Sequence, residues 1–465
     1  MKRRKFLKGT GIVLGATAIG GLAGLNVINS KISENLDSSL LLKESNKWSN
    51  WSGGQVCEPS SFFIPKNEQD LINKLKTTSN KFRVVGGGHS FSPVVPTNDI
   101  LSSLKNLNKI ISIDKNAKEV TVQSGIPLSD LTPQLHKNGL AFLNQGDIDK
   151  QTLGGAVSTS THGTGKDLQS FAGFVKKFKL IIANGEILNC SSEENSEIFY
   201  GGTVALGSLG IVTEYTVQLT DTYKLEEKVY PADLNETLDN FWNLVEENRN
   251  FEIFPFFYSD QVVVKTLNKT SKNITKVEQP FLSDDFLLAL GLTLSGDSGS
   301  RTDKVQNLIS GLIDSTSKIN DSYKIYPSVR NVKFNEMEYQ IPKEKGIACV
   351  REILKTGQKL KVPIFFPLEI RVVKQDDFWM SPFYKRDVMS ISVHQFADKE
   401  YNKYFPIFHE IFKRYEGRPH WGKLSYYDRE GIKKLYPKYD DFVKLRNELD
   451  PKKRFSNDYI NKIFG

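Results

Sequence analysis

Phe82-Arg83-Val84-Val85-Gly86-Gly87-Gly88-His89-Ser90-Phe91-Ser92-Pro93 is the stretch on which the fold turns. A β-branched run enters three consecutive glycines, so a strand is expected to feed a tight turn. Glycine tolerates positive φ and has no Cβ, which lets successive backbone N–H groups converge on a phosphate. Val85, Gly86, Gly87, Gly88 and Ser90 are therefore candidate contacts for a phosphate-bearing cofactor. His89, at the rim of such a cradle, sits where the edge of an isoalloxazine ring would reach it.

A second glycine-rich segment runs from Gln145 to Gly165 and contains Gly154-Gly155-Ala156-Val157-Ser158-Thr159-Ser160-Thr161-His162-Gly163-Thr164-Gly165. Small residues and hydroxyls build no large-residue core, but they let a ligand approach the backbone and hydrogen-bond its phosphate or ring heteroatoms. Gly146, Thr152, Gly155, Ser158, Thr159, His162 and Gly163 are the candidates here. A flexible linker has a similar composition, but the interleaved Leu153, Ala156, Val157 and His162 count against one. A third piece, Ala205-Leu206-Gly207-Ser208-Leu209-Gly210-Ile211-Val212-Thr213-Glu214, reads as a turn entering a strand that continues to Leu219 by alternation. Gly210, Ile211 and Val212 complete the cofactor-binding set.

From about Asp221 the chain changes character. Gln261–Lys265 and Ile364–Phe366 read as strands, whereas Asp303–Leu312 and Tyr401–Tyr415 have helical spacing. Strands with helices on one face suggest a cap, and the seam beneath a cap is the default place for a ligand. In Pro367-Leu368-Glu369-Ile370-Arg371-Val372, strand periodicity puts Glu369 and Arg371 on one face. A carboxylate beside a guanidinium holds a polyol through charge-assisted hydrogen bonds. Ser392-Val393-His394-Gln395-Phe396 adds His394, and Gly417-Arg418-Pro419-His420-Trp421-Gly422-Lys423 adds His420 and Lys423 between turn-forming residues.

The Gly-Gly-Gly-His-Ser turn, the Thr-His-Gly-Thr-Gly stretch and the Leu-Gly-Ile-Val-Thr-Glu strand together resemble the vanillyl-alcohol-oxidase superfamily of FAD proteins. In the second half, Glu369-Ile370-Arg371, Asp376–Pro382, Val393–Phe396 and Arg418–Lys423 resemble the bacterial aldonolactone oxidases and dehydrogenases, with alditol oxidases as relatives. The resemblance implies an α+β architecture. A two-lobed PCMH-type FAD-binding domain would occupy residues 51–220 and a mixed-sheet substrate (cap) domain residues 221–430. Residues 431–465, with Asp450-Pro451, Phe455 and Asn457-Asp458-Tyr459, would return to the FAD domain.

The same resemblance implies FAD joined to His89 through the flavin 8α-methyl. Some relatives add a cysteine link near the second segment; no cysteine falls between Cys57 and Cys190, so a single histidyl bond is expected. It further implies hydride transfer to flavin N5 from a hydroxyl-bearing carbon of a sugar-derived 1,4-lactone. Glu369 and Arg371 would position the substrate, Lys423 would stabilise developing negative charge, and His394 or His420 would move a proton. Electrons would pass to O2, giving hydrogen peroxide, or to a quinone or cytochrome. Alditol oxidases share the Glu-x-Arg pair and the His-Trp-Gly-Lys loop but carry a hydroxyl residue where Phe396 stands, which tilts the expectation from an alditol towards a lactone. A silent flavin- or sugar-binding protein is the rival from another class, and the retention of Glu369, Arg371 and Lys423 alongside His89 speaks against it.

At 465 residues the chain has room for two or three packed domains. Its net charge of +8 is spread over lysine-rich stretches, with no zinc finger, RNP-type strand or basic helix, so no nucleic-acid partner is expected. The three cysteines match no metal-ligand spacing, no metal site is expected, and buried free thiols are the reading adopted. Residues 1–29 open with Lys2-Arg3-Arg4-Lys5-Phe6-Leu7-Lys8 and continue into an apolar stretch from Gly9 to Val27, similar to a twin-arginine signal. That points to the twin-arginine export machinery and an extracytoplasmic location, with the signal either cleaved or kept as a membrane anchor. Residues 30–50 are polar and read as a linker.

Overall fold

A computed structural model describes residues 47–275, 301–328, 330 and 332–465, together with Gly291 and Leu294. The signal-like segment and linker residues 30–46 lie outside the described residues. Helices and sheets are mixed throughout, giving an α+β fold.

The glycine turn sets the first lobe. Phe82–Val85 is a strand and pairs in parallel with Ile100–Ser103, which carries Ser61–Phe63 in parallel on its other side. Parallel strands need a crossover, and the helix Glu68–Thr77 supplies it between Ser61–Phe63 and Phe82–Val85. Asn67 caps that helix by accepting from the Asp70 N–H at 2.9 Å. Leu71, Ile72 and Leu75 form one stripe, buried in a cluster with Phe82 and Ile100. The three glycines leave the carboxyl end of a parallel strand, where sheets of this kind hold ligands.

The second lobe is a five-stranded antiparallel sheet in the order Ile187–Ser191, Val175–Ile181, Ile211–Gln218, Glu119–Gln123, Ile110–Asp114. Its central strand, Ile211–Gln218, is the one expected from the third motif, and its residues alternate between buried and half-buried. Ser124 ties it to the second glycine-rich segment. The Ser124 hydroxyl donates to the Val212 carbonyl at 2.6 Å, its N–H donates to the Thr213 carbonyl at 2.9 Å, and its carbonyl accepts from the Gly154 N–H at 2.9 Å.

The cap is built on eight antiparallel strands in the order Thr316–Asp321, Lys224–Asp233, Gln261–Thr270, Asn250–Pro255, Glu369–Val373, Val388–Phe396, Phe334–Pro342, Arg418–Pro419. Strand alternation gives this sheet two unlike faces. Met337, Tyr339, Ile341, Met389, Ile391 and Val393 belong to the face under the helices Gly346–Leu360 and Phe405–Arg414; Tyr339 stacks on Phe412 with centroids 4.5 Å apart. Glu336, Glu338, Gln340, Ser390, Ser392 and His394 alternate with them on the opposite face, yet all six are buried. Burying that many polar groups requires partners for them.

Two of the expected cap elements take a different form. Ile364–Phe366 is not a strand: Pro363 and Pro367 flank it and cannot donate to a ladder, and the Ile364 and Phe365 carbonyls instead accept from the Gln306 side chain at 3.0 and 2.8 Å. The helix expected over Tyr401–Tyr415 begins only at Phe405, with Pro406 in its first turn. Gln261–Thr270 is a strand and Thr302–Ser310 a helix. The C-terminal segment packs on the first lobe: Phe82 donates its N–H to the Arg454 carbonyl at 2.7 Å, and the Asn457 amide donates to the Pro93 and Pro96 carbonyls at 2.9 Å. All three cysteines are free thiols; Cys190 and Cys349 are buried, whereas Cys57 is half-buried.

Candidate active site

The polar face of the cap sheet and the two glycine-rich segments enclose a cavity of about 340 Å³. His89, Ser90, Gly146, Thr159, His162, Glu369, Arg371, His394, His420 and Lys423 all line it. Val85, Gly86, Gly87, Gly88, Thr152, Gly155, Ser158, Gly163, Gly210, Ile211 and Val212 do not reach its wall. Several of these hold the segments together instead. A Cβ on Gly86 would lie 2.3 Å from the Thr152 hydroxyl, and one on Gly87 would lie 2.4 Å from the Lys150 carbonyl oxygen. The turn therefore meets the second segment's backbone at Gly87 and its Thr152 side chain at Gly86, approaches that leave no room for a Cβ. Thr152 caps the short helix Leu153–Ser158 by accepting from the Gly155 N–H at 3.3 Å.

The residues present fit an FAD. Among the described residues, the N–H groups of Gly87, Gly88, His89 and Ser90 donate to nothing in the protein, so four donors in succession are available to an anionic group. His89 stacks on Trp51 with ring centroids 5.8 Å apart, which holds the imidazole at the cavity edge. Burial, then the Lys423 and Lys150 charges, lower His89 to about 4. The ring is thus neutral at physiological pH and has a nucleophilic nitrogen. The turn is joined to the cap, since Phe91 donates its N–H to the Gly422 carbonyl at 2.7 Å and the Ser92 hydroxyl donates to the Trp421 carbonyl at 2.6 Å. Trp421 itself is fully buried, donates its indole N–H to the Met380 carbonyl at 2.6 Å, and anchors the loop rather than lining the cavity.

On the cap side, Glu369 and Arg371 share the cavity face, as their spacing requires. Arg371 donates from Nε to Glu252 at 2.9 Å and from Nη2 to both Glu369 and Asp147. Lys265 lies 2.8 Å from Glu252 and 3.7 Å from Asp147, and Arg330 lies 3.6 Å from Asp147. Burial alone would raise Asp147, but Arg371, Lys265 and Arg330 outweigh it and hold the carboxyl well below its usual range. Glu369 goes the other way. Burial pushes it up, Arg371 opposes, and Asp147 and Glu252 add to the burial, leaving it at about 7.

A second cluster adjoins the first. Lys423 is ion-paired with Glu336, and His394 Nε2 lies 3.5 Å from Glu336 and 3.9 Å from Glu369. Burial would raise Glu336, yet Lys423 and then His394 bring it down to about 2. Glu338 accepts from His162 Nε2 at 2.8 Å and from the Ser390 and Ser392 hydroxyls at 3.0 Å. His420 Nδ1 accepts from the Gly422 N–H at 3.0 Å, and burial lowers the ring to about 3. A neutral imidazole whose Nδ1 is occupied as an acceptor carries its proton on Nε2. His420 is therefore a donor towards the cavity and not a base.

Trp51, Asp147, Glu252, Lys265, Glu336 and Glu338 join the site without having been singled out in the sequence. The signal for two of them was present in Asn335-Glu336-Met337-Glu338-Tyr339-Gln340, whose alternation is the same as that of a half-exposed strand. Phe396, by contrast, packs on Phe366 with centroids 4.5 Å apart and does not line the cavity, so its departure from the alditol-oxidase pattern bears on packing and not on substrate contact.

The family model described as D-arabinono-1,4-lactone oxidase matches residues 215–463, and one described as an FAD binding domain matches residues 59–191. An L-gulono-1,4-lactone dehydrogenase of Mycobacterium tuberculosis is 33% identical over 427 residues, covering 90% of this chain and 99% of that protein. An L-gulonolactone oxidase of Bos taurus is 31% identical over 435 residues, covering 90% and 98%. A cholesterol oxidase from Brevibacterium sterolicum, solved as a His121Ala mutant, superposes with a TM-score of 0.78 over 91% of this chain and 97% of that one, at 15% identity, a likeness of fold alone.

Proposed function

The chain belongs to the D-arabinono-1,4-lactone oxidase family, and on that premise we propose that it oxidises a hydroxyl of a sugar-derived 1,4-lactone with FAD as its redox cofactor. When bound, FAD supplies the acceptor for the hydride leaving the carbinol carbon. The observation that carries the reading is the buried row of Glu369, Arg371, His394 and Glu336, with the half-buried Lys423, lining one cavity with His89. Arg371 Nη1 has no partner among the described residues and is available to a lactone oxygen. Glu369, held near neutrality, takes the hydroxyl proton. Lys423 offers positive charge where negative charge develops on the substrate oxygen, a contribution of about 3–4 kcal/mol in a site shielded from water. His394 orients Glu369 and Glu336, and His420 donates from Nε2.

The neutral His89 beside the free N–H groups supports a covalent histidyl link to the flavin 8α-methyl. The paired Arg3-Arg4 ahead of the apolar stretch supports export by the twin-arginine route, which carries folded and cofactor-loaded proteins to an extracytoplasmic location. Relatives bear the names of both dehydrogenases and oxidases, so the acceptor is what the assay must read. Purified protein is offered aldono-1,4-lactones, alditols or buffer, with peroxide release and reduction of a dye or quinone acceptor followed in parallel. Lactone-dependent turnover is the expected result; turnover with alditols but no lactone refutes the reading.

A further inference from the structure

We propose that Asp147 is a positioning residue: by sharing the Arg371 guanidinium it keeps Glu369 from being locked into an ion pair and leaves it able to take the substrate proton. The inference rests on the lactone-oxidising reading above and adds to it a residue from the other domain.

The geometry is one guanidinium among three carboxylates. Arg371 gives its Nε to Glu252 at 2.9 Å and divides Nη2 between Asp147 and Glu369. A carboxylate that had Arg371 to itself would form a forked pair and stay ionised as a weak base. Glu369 is denied that arrangement. The groups facing it come from every neighbouring element. Arg371 lies on its own strand, Glu252 on the adjacent strand with Lys265 behind it, and Ser392 and His394 on the other adjacent strand. Glu336, paired with Lys423, lies beyond His394, and Asp147 comes from the second glycine-rich segment with Arg330 beside it. Of these, Asp147 alone belongs to the flavin-side segment. It adjoins Gly146, where a Cβ would lie 3.0 Å from the His162 carbonyl, and its own carbonyl accepts from the Ser328 N–H at 2.9 Å. Asp147 is thus anchored at both its backbone and its carboxylate, and the base on the cap is tuned only while the cap rests on the flavin domain. The direction in which burial, Asp147 and Glu252 push Glu369 agrees with this.

The test is Asp147→Asn, which keeps the shape and removes the charge. Protein labelled with 13C-glutamate is titrated by infrared spectroscopy, the Glu369 carboxyl band being identified by its loss in Glu369→Gln. The pH profile of anaerobic flavin bleaching by lactone is measured alongside. In Asp147→Asn the Glu369 midpoint should fall by about one pH unit or more. The rising limb of the rate profile should move to lower pH by the same amount, and its plateau should drop because a weaker base accepts the proton less readily. Glu252→Gln should shift the midpoint in the same direction by less, and Asp147→Glu should restore it. An unmoved or raised midpoint in folded Asp147→Asn overturns the inference. Should that variant fail to fold, an unmoved midpoint in Glu252→Gln overturns it. A parent protein that bleaches with no lactone would sink the functional reading instead, and the infrared midpoint, which needs no turnover, would still decide the role of Asp147.

Discussion

Replacing Lys423 by methionine should cost both stability and rate, and the two losses can be separated. Lys423 is ion-paired with Glu336, whose side chain is only 3% exposed, and His394 Nε2 lies 3.5 Å from the same carboxylate. Together they outweigh burial and hold Glu336 at about 2 rather than the ordinary 4.5. That difference corresponds to roughly 3 kcal/mol of stability at neutral pH. The sign follows from the depressed value: the contribution is complete above pH 4.5 and is lost as pH falls through about 2. Lys423→Met leaves a buried carboxylate nearly unpaired, and breaking such a pair costs about 3–5 kcal/mol. Anaerobic flavin bleaching should slow by about 10²–10³-fold, because a preorganised charge is missing where the substrate oxygen becomes negative. The double variant Lys423→Met/Glu336→Gln removes the stranded charge as well. It should regain most of the stability, read by urea unfolding, and none of the rate, read by stopped-flow bleaching. A single variant that keeps the parental bleaching rate would confine Lys423 to a structural role. A double variant no more stable than the single would show that the stranded-charge argument is wrong.

His89→Ala should leave flavin bound only non-covalently, so that acid precipitation strips the yellow colour from the variant and not from the parent; colour lost equally from both removes the histidyl bond. Gly87→Ala should reduce the flavin-to-protein absorbance ratio sharply, since its Cβ would lie 2.4 Å from the Lys150 carbonyl oxygen. Gly88→Ala should retain flavin, because its nearest neighbour is Trp48 at 3.8 Å and only the positive φ of +69°, worth about 1–2 kcal/mol, opposes it. Asp376 is buried with no ion pair among the described residues, and burial raises it to about 7 against the opposition of the Ser381 hydroxyl, the Phe378 N–H and the more distant Arg418 charge. The folded form then holds a proton that the unfolded chain releases near pH 3.8, so stability falls as pH rises towards 7. Asp376→Asn should flatten that fall by roughly 2–3 kcal/mol between pH 5 and pH 7 in urea titrations.

The strand Phe82–Val85, the glycine turn and the strand Ile211–Gln218 were legible because β-branched residues restrict the backbone to extended conformations and glycine frees it to turn, both of them local effects. Glu369 and Arg371 were legible for a related reason: a period of two assigns them one face whatever the sheet does. Which face meets the cavity is a tertiary matter, and there the sequence is ambiguous. Glu336-Met337-Glu338-Tyr339-Gln340 has the pattern of a strand with one wet face, but that face is covered by the flavin domain, and its glutamates are buried against His162, His394 and Lys423. Asp147 gave no signal at all. Its neighbours are small, and its partners Arg371, Lys265 and Arg330 arrive from three separate parts of the cap. Ile364–Phe366 misled because its apolar residues have the composition of a strand, while the prolines on either side lack the N–H donors with which a ladder would continue.

The charges at the seam explain why these two domains act as one site. Glu338 lies on the cap and its imidazole partner His162 on the flavin side; Asp147 lies on the flavin side and its partners Arg371, Lys265 and Arg330 on the cap. Each pair spans the seam, so removing one partner while the two domains stay packed leaves the other group buried and uncompensated, at a cost of about 3–5 kcal/mol. The turn carrying His89 is bound into the same seam through Phe91, Ser92 and the Gly417–Lys423 loop. The position of the His89 turn and the position of Lys423 are therefore fixed by one set of hydrogen bonds. A misplacement of about 1 Å between reacting groups can cost on the order of 10²-fold in rate, and a seam locked by paired buried charges holds that distance while leaving the cavity open to a polar substrate.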